Sequence, residues 1–144
     1  MSATMFKKAL VPINASDLSQ RVVRMAAECV QKGMVEKLVL LSVWEADEID
    51  YTKRSSISKE KELKTRARET LQRYEDFMRD QNIEVETILK GGDPSTVIMD
   101  TIEKDEYDLI IMGSRRLNKV QELVFGSVSD RVTRLSAIPV LIVK

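Results

Sequence analysis

Short apolar segments recur along this 144-residue chain, and amphipathic helical patterns separate them. The five segments with the length and composition of β-strands are residues 8–13, 37–44, 83–89, 108–112 and 139–143. Most are continuous apolar runs that predict strands buried on both faces, whereas the third alternates in polarity and predicts a half-exposed edge strand. Because strands and helices alternate, the sequence predicts one domain, residues 1–144, of the doubly wound α/β class. Its sheet should be mainly parallel, with helices on both faces.

Four helices are predicted between these strands. The first begins at Ser16 or Asp17, and Ser58 is predicted to cap the second. Asp93 is predicted as the N-cap of the third helix, with Pro94 at its first position. The apolar stripes predicted to face the core are Leu18, Val22, Met25, Ala26, Cys29 and Val30, then Leu63, Ala67, Leu71, Tyr74 and Met78, then Val97, Ile98 and Ile102, and finally Val128, Val132 and Leu135.

The composition excludes several kinds of chemistry. The chain has no histidine, which rules out histidine-based acid–base catalysis and histidine-ligated zinc. Basic and acidic residues number 23 each, so the net charge gives no reason to expect binding to nucleic acid or to an anionic membrane. Cys29 is the only cysteine, and no apolar run has the length of a membrane span or of a signal peptide's apolar region. These features favour a reducing, cytoplasmic location.

The segment from Asp108 to Arg116, followed by Gly126-Ser127-Val128-Ser129-Asp130, predicts a buried strand, a glycine turn, a loop and a helix that starts beside a second glycine. Ser127 is predicted to cap that helix, with Asp130 completing a capping-box-like pair. Free backbone N–H groups and the helix dipole would favour an anion such as a phosphate at this point. Alternatively, both glycines only permit tight turns and Ser127 is only a cap.

The turns after the first, second and fourth strands should meet at one edge of the sheet. They contain Asn14, Val43-Trp44 and Gly113. Doubly wound sheets bind ligands outside the carboxyl ends of their strands, so this edge is the predicted site. Trp44 and Tyr51 could contact a ligand there, although partial burial at a strand end is sufficient to explain a tryptophan.

The chain resembles the universal stress protein family over essentially its whole length. The family's signature is a glycine, two residues, a second glycine, nine residues and then Gly-Ser or Gly-Thr, and Gly113 and Gly126-Ser127 match it at the right spacing. The further matches are Val11-Pro12, residues 40–43, Gly92-Asp93-Pro94, residues 108–114 and residues 139–143. The resemblance implies the sheet order 3-2-1-4-5.

In nucleotide-binding members of that family the ligand is ATP or AMP, and the resemblance implies the positions that would hold it. The base would lie at the ends of the first two strands, and the phosphates would rest on the glycine loop and the helix start. The residues implied are Pro12, Ile13, Asn14 and Val43 for the base, and Met112, Gly113, Arg115, Arg116, Gly126, Ser127, Val128 and Ser129 for the glycine-loop side.

Two positions depart from the family pattern. Arg116 replaces the second glycine of the signature, and its long side chain could occlude the pocket or close over the phosphates together with Arg115. Asn14 stands where nucleotide-binding members usually carry aspartate. Asparagine can hydrogen-bond a ribose or a base but is a poor magnesium ligand. The sequence therefore leaves open whether a magnesium ion accompanies the nucleotide.

Three functions follow from these residues. The first is an adenine-nucleotide-binding regulatory protein of the stress response, whose bound state is recognised by partners. The second is a homodimeric interaction module of the same family with a vestigial cleft. The third, a slow ATPase, is disfavoured because phosphoryl transfer needs a well-placed metal and Asn14 removes the obvious ligand.

The resemblance also implies a homodimer formed by antiparallel pairing of residues 140–143 with their copy. Self-pairing would protect an apolar edge strand from other strands. Burial of this strand under helices of its own subunit is the alternative.

Overall fold

The computed structural model describes residues 4–114 and 127–144. Its elements, in chain order, are β1 (Phe6–Ile13), α1 (Leu18–Gln31), β2 (Val35–Trp44), a short 3-10 turn (Ala46–Glu48), α2 (Ser56–Asp80), β3 (Val85–Gly91), α3 (Pro94–Lys104), β4 (Leu109–Gly113), α4 (Ser127–Leu135) and β5 (Val140–Val143). Within the described part of the chain, no helix is both long enough and apolar enough to cross a bilayer.

The five strands form one sheet in the order β3-β2-β1-β4-β5, and every neighbouring pair is parallel. This arrangement confirms the predicted doubly wound class and the strand order that the family resemblance implied. β1 is the central strand, and its two neighbours β2 and β4 lie on opposite sides of it. The chain therefore reverses its direction of travel across the sheet at β1, which opens a crevice at the carboxyl ends of β1 and β4.

Each face of the sheet has its own apolar core. Alternate residues of β1 point to opposite faces: Val11 packs with α1 and α2, whereas Leu10 packs with α3 and α4. Both are completely buried. The buried runs predicted for β1, β2 and β4 are explained by this double coverage, and the exposed positions of β3 by its place at the edge of the sheet.

Three predicted helical positions are wrong. Ser58 does not cap α2, because Lys59 N–H already donates to the Ser55 carbonyl at 3.0 Å and the helix begins at Ser56. Met25 and Leu135, expected in the core, are 38% and 53% exposed. The buried side of α1 also includes Val23 and Ala27, since this helix packs against neighbours over a wider arc than a single stripe provides.

Asp93 caps α3 as predicted. Its Oδ2 accepts hydrogen bonds from the Thr96 amide at 3.1 Å and the Ser95 hydroxyl at 2.8 Å, and Pro94 occupies the first helical turn. The bond from the Ser95 hydroxyl, followed by the Thr96 donors and the charge of Arg131, lowers the pKa of the Asp93 carboxyl. The ionised form of Asp93 is therefore favoured by the folded state.

Replacing Asp93 by alanine should lower the free energy of unfolding at neutral pH by about 1 kcal/mol, the usual contribution of an N-cap. Because the folded-state pKa is depressed, this contribution is present above the unfolded-state pKa of about 4 and is lost as the pH falls through the folded value. Urea unfolding at a series of acidic pH values measures the difference. Asp100→Ala, in the interior of the same helix, is the control; an equal loss in both variants would contradict the capping role.

Candidate functional site

A cavity of about 130 Å³ lies at the carboxyl ends of β1, β2 and β4. Its described lining includes seven of the residues predicted from the sequence, namely Pro12, Ile13, Asn14, Val43, Met112, Gly113 and Val128. The remaining lining residues were missed by sequence reasoning, namely Ser16, Leu18, Ser19, Val22, Leu41, Glu45, Pro94 and Ile98. Most of the missed residues lie on helices or on the turns that lead into them, so only the packing of helices against the sheet brings them to the cavity.

The other predicted residues are placed differently. Ser129 is completely buried and does not line the cavity. Arg115, Arg116 and Gly126 lie outside the described residues, as does the side chain of Ser127, the residue at which α4 begins. The capping pair predicted between Ser127 and Asp130 depends on that side chain. These positions therefore stay predictions.

Gly113 is needed for space rather than for a turn. It is the last residue of β4, and a Cβ atom placed on it would lie 2.6 Å from Leu18 Cδ2 and 2.8 Å from Leu18 Cγ. Real Cβ atoms do not approach other atoms so closely. The first turn of α1 therefore rests directly on the end of β4, and this contact sets one wall of the cavity.

Asn14 is held by a small hydrogen-bond network immediately after β1. Its Oδ1 accepts from the Ser16 amide at 2.9 Å, the Ser16 hydroxyl at 2.6 Å and the Ser19 hydroxyl at 3.0 Å. The Asn14 amide donates to Ser19 Oγ at 2.8 Å. Such local bonds are typical of an asparagine that directs the chain into a helix. They also fix the position of the Asn14 side chain in the cavity wall.

α4 is tied to the start of α3 by Arg131. Its Nη1 lies 3.1 Å from Ser95 Oγ and 3.5 Å from Asp93 Oδ2. Pro94 and Val128, the neighbours of this contact on the two helices, both line the cavity. Arg131 thus links the starts of the two helices beside the cavity. No sequence pattern could have identified this pair, because the partners are 36 and 38 residues apart.

Trp44 is explained by packing. A Cβ atom on Gly91 would lie 2.3 Å from Trp44 Cζ2, so the indole rests against the glycine backbone of the neighbouring strand. Lys64 Nζ lies 5.0 Å from the centre of an indole ring, within the range of a cation–π contact. Neither Trp44 nor Tyr51, which is 55% exposed, lines the cavity. The packing alternative for Trp44 therefore accounts for its position.

The cavity is mostly apolar, with few charged groups in its described wall. Glu45 is the acidic residue among the described lining residues, and it is not a free group because the residue takes part in an interaction of its own. Among the described residues, no group of three or more histidine, cysteine, aspartate or glutamate side chains is arranged to hold a metal ion. An apolar crevice with a few polar groups is the usual form of a site for a small organic ligand.

Comparison with known proteins identifies the family. The model of the universal stress protein family matches residues 5–144. This chain belongs to the universal stress protein family. A curated relative, universal stress protein YxiE of Bacillus subtilis, is 30% identical over 97% of this chain and 100% of its own length. This membership confirms the resemblance seen in the sequence.

Solved structures of related proteins share the fold. The structure of MJ0577, a universal stress protein of Methanocaldococcus jannaschii, is 27% identical, covers 98% of this chain and 97% of its own, and has a TM-score of 0.84. A universal stress protein from Archaeoglobus fulgidus in complex with dAMP is 24% identical, with a TM-score of 0.69 over 98% of this chain and 100% of its own. Another, in complex with cAMP, is 20% identical, with a TM-score of 0.64 over 98% of each chain.

Proposed function

We propose that this universal stress protein is a regulatory protein of the stress response that binds an adenine nucleotide, ATP or AMP, in the cavity at the carboxyl edge of the sheet. The observation that carries the proposal is that residues from the ends of β1, β2 and β4 and from the start of α4 line one cavity. Two structural neighbours hold adenine nucleotides, dAMP and cAMP. They support the choice of ligand class.

One part of the cavity wall suits the base of a nucleotide, and another part suits its phosphates. Ile13, Val43 and Met112 provide apolar surface for a planar base. The start of α4, where Val128 lines the cavity, offers backbone N–H groups and the positive end of the helix dipole to phosphates. The cavity of about 130 Å³ is smaller than typical drug-sized ligand pockets of about 300 Å³ or more. It would therefore enclose the base, while the phosphates would extend towards the start of α4.

Thermal unfolding with and without nucleotide tests the proposal. A ligand that binds only the folded state stabilises it by about 2.7 kcal/mol at one hundred times its dissociation constant, which corresponds to a rise of several degrees in the melting temperature. We expect AMP or ATP, and not an equal concentration of inorganic phosphate, to produce this rise. An unchanged melting temperature in millimolar AMP and ATP would contradict the proposal and leave the interaction module as the function.

A homodimer through β5 is a second part of the proposal. β5 lies at one edge of the sheet, and its apolar side chains at positions 140–142 are only partly buried. The Pro139 carbonyl accepts a hydrogen bond from the Ile110 amide of β4, and the Val143 carbonyl accepts one from the Ser114 amide, directly after β4. Alternation along the strand then directs the N–H and C=O groups of Val140 and Ile142 to the free edge. An edge of this kind can pair with the same edge of a second copy.

Ile142→Pro should convert the dimer to a monomer, because it removes an N–H group from the free edge without removing a bond to β4. Ile142→Val, which is of similar size and keeps that N–H group, is the matched control and should remain dimeric. Sedimentation equilibrium at micromolar concentration gives the masses. A monomeric wild-type protein, or a dimeric Ile142→Pro variant, would contradict pairing through β5.

A further inference from the structure

The hydrogen bonds of Asn14, a lining residue of the cavity, determine which end of its side-chain amide is the oxygen. The Ser16 amide lies 2.9 Å from its oxygen and can only donate. The side-chain atom that it meets must therefore be the acceptor Oδ1, not the amide nitrogen. Two hydroxyl groups, from Ser16 at 2.6 Å and Ser19 at 3.0 Å, approach the same oxygen. Oδ1, with two lone pairs, is thus fully occupied.

Ser19 holds Asn14 from two directions. Its hydroxyl accepts the backbone N–H of Asn14 at 2.8 Å and lies 3.0 Å from Asn14 Oδ1. Ser19 is 5% exposed and belongs to the second position of α1, so the packing of the helix fixes its place. Backbone and side chain of Asn14 are therefore both anchored to α1.

The remaining polar group of this side chain is the Nδ2 amide, which has two N–H donors and no acceptor capacity. Within residues 4–114 and 127–144, no hydrogen bond engages Nδ2. Since Asn14 lines the cavity, it can offer donors to a ligand, but its oxygen cannot serve a metal ion without breaking the network. An aspartate in the same network would have a second, negatively charged oxygen in place of Nδ2.

On the basis of the nucleotide site proposed above, we propose that Asn14 is a specificity-determining residue that donates a hydrogen bond to an acceptor atom of the nucleoside, and that Ser16 and Ser19 are the positioning residues that set this polarity. The ligand is then an adenine nucleotide that binds without a divalent cation at this residue. The sequence indicated that an asparagine here can hydrogen-bond a ribose or a base and is a poor magnesium ligand. The network adds the direction of the hydrogen bond.

The test is the dissociation constant of AMP, measured by calorimetry for the wild-type protein and for Asn14→Asp, each with magnesium and with a chelator. We expect the wild-type constant to change less than about twofold between the two conditions, and Asn14→Asp to bind roughly tenfold more weakly, because the donor is replaced by a charged acceptor. Equal or tighter binding by Asn14→Asp would overturn the donor role, and a strong magnesium dependence of the wild type would overturn metal-free binding.

The positioning role is tested by a double-mutant cycle. Ser19→Ala should weaken AMP binding roughly fivefold in the wild-type background and should have no further effect in Asn14→Ala, because the serine acts through Asn14. Additive effects would show that Ser19 affects AMP binding independently of Asn14 and would overturn its positioning role. A wild-type protein that binds neither AMP nor ATP would overturn the proposed function itself. If the wild type binds AMP but Asn14→Asp binds it equally well or more tightly, only the inference about Asn14 is overturned.

Discussion

Replacing Val43 by phenylalanine should abolish the rise in melting temperature that adenine nucleotide produces. Val43 lies near the carboxyl end of β2 and lines the cavity of about 130 Å³. A phenyl ring at this position would occupy the space assigned to the base, because the side chain alternation of the strand directs residue 43 to the same face as Leu41, which also lines the cavity. We expect the affinity for AMP to fall by roughly a hundredfold or more, a loss of about 2.7 kcal/mol.

The matched control is Val85→Phe. Val85 is also a half-buried strand residue, but it lies at the amino end of β3, where it pairs with Leu38 rather than with the cavity end of β2. The two variants add the same atoms at opposite ends of the sheet. Val85→Phe should keep the nucleotide-dependent rise. Retention of that rise in Val43→Phe would show that the base does not occupy the cavity.

Gly113→Ala should lower the free energy of unfolding by about 1–3 kcal/mol, the usual effect of overpacking a well-packed site. The added methyl group would lie 2.6 Å and 2.8 Å from two atoms of Leu18 and 3.2 Å from Val22 Cγ2. Leu18→Ala removes the two closest of these atoms. In the Leu18→Ala background, therefore, Gly113→Ala should cost little, and denaturant unfolding of the four proteins should give a coupling free energy of about 1–2 kcal/mol.

Gly33→Ala is the control for this cycle. Gly33 follows α1 with a φ of +77°, and among the described residues no atom beyond its own chain neighbours lies within 4 Å of the position that its Cβ would take. Its substitution should cost about 1 kcal/mol through backbone strain and should cost the same in the Leu18→Ala background. If Gly113→Ala behaves in this way too, the contact with Leu18 is not the reason for glycine at the end of β4.

The sequence predicted the strands well because their burial on two faces leaves long apolar runs, as in β2 and β4. The carboxyl-edge residues Asn14, Val43 and Gly113 were also predictable, since parallel strands bring their ends to one edge whatever the neighbouring helices do. The order of the strands was not predictable from composition and came from the family resemblance. A family's sequence patterns indicate the strand order because the members of one family share one sheet topology.

The errors and omissions concern contacts between distant segments. The exposure of Met25 depends on where α1 meets its neighbours, and the role of Gly113 depends on Leu18, 95 positions earlier in the chain. Arg131 reaches Asp93 only because α3 and α4 lie side by side on one face of the sheet. By contrast, the bonds from Ser16 and Ser19 to Asn14 span two and five residues. A sequence analysis that counted the donors around Asn14 could have found this local network.

The central claim is that adenine nucleotide occupies the cavity formed by the ends of β1, β2 and β4 and the start of α4. Its most direct test is a titration of the protein with AMP followed by nitrogen–proton correlation NMR of the backbone amides. The account predicts saturable shifts of Ile13, Val43, Gly113 and Val128, with Val85 at the far end of the sheet unchanged. Amides of the cavity that do not shift in millimolar AMP or ATP, or shifts confined to another surface, would contradict it.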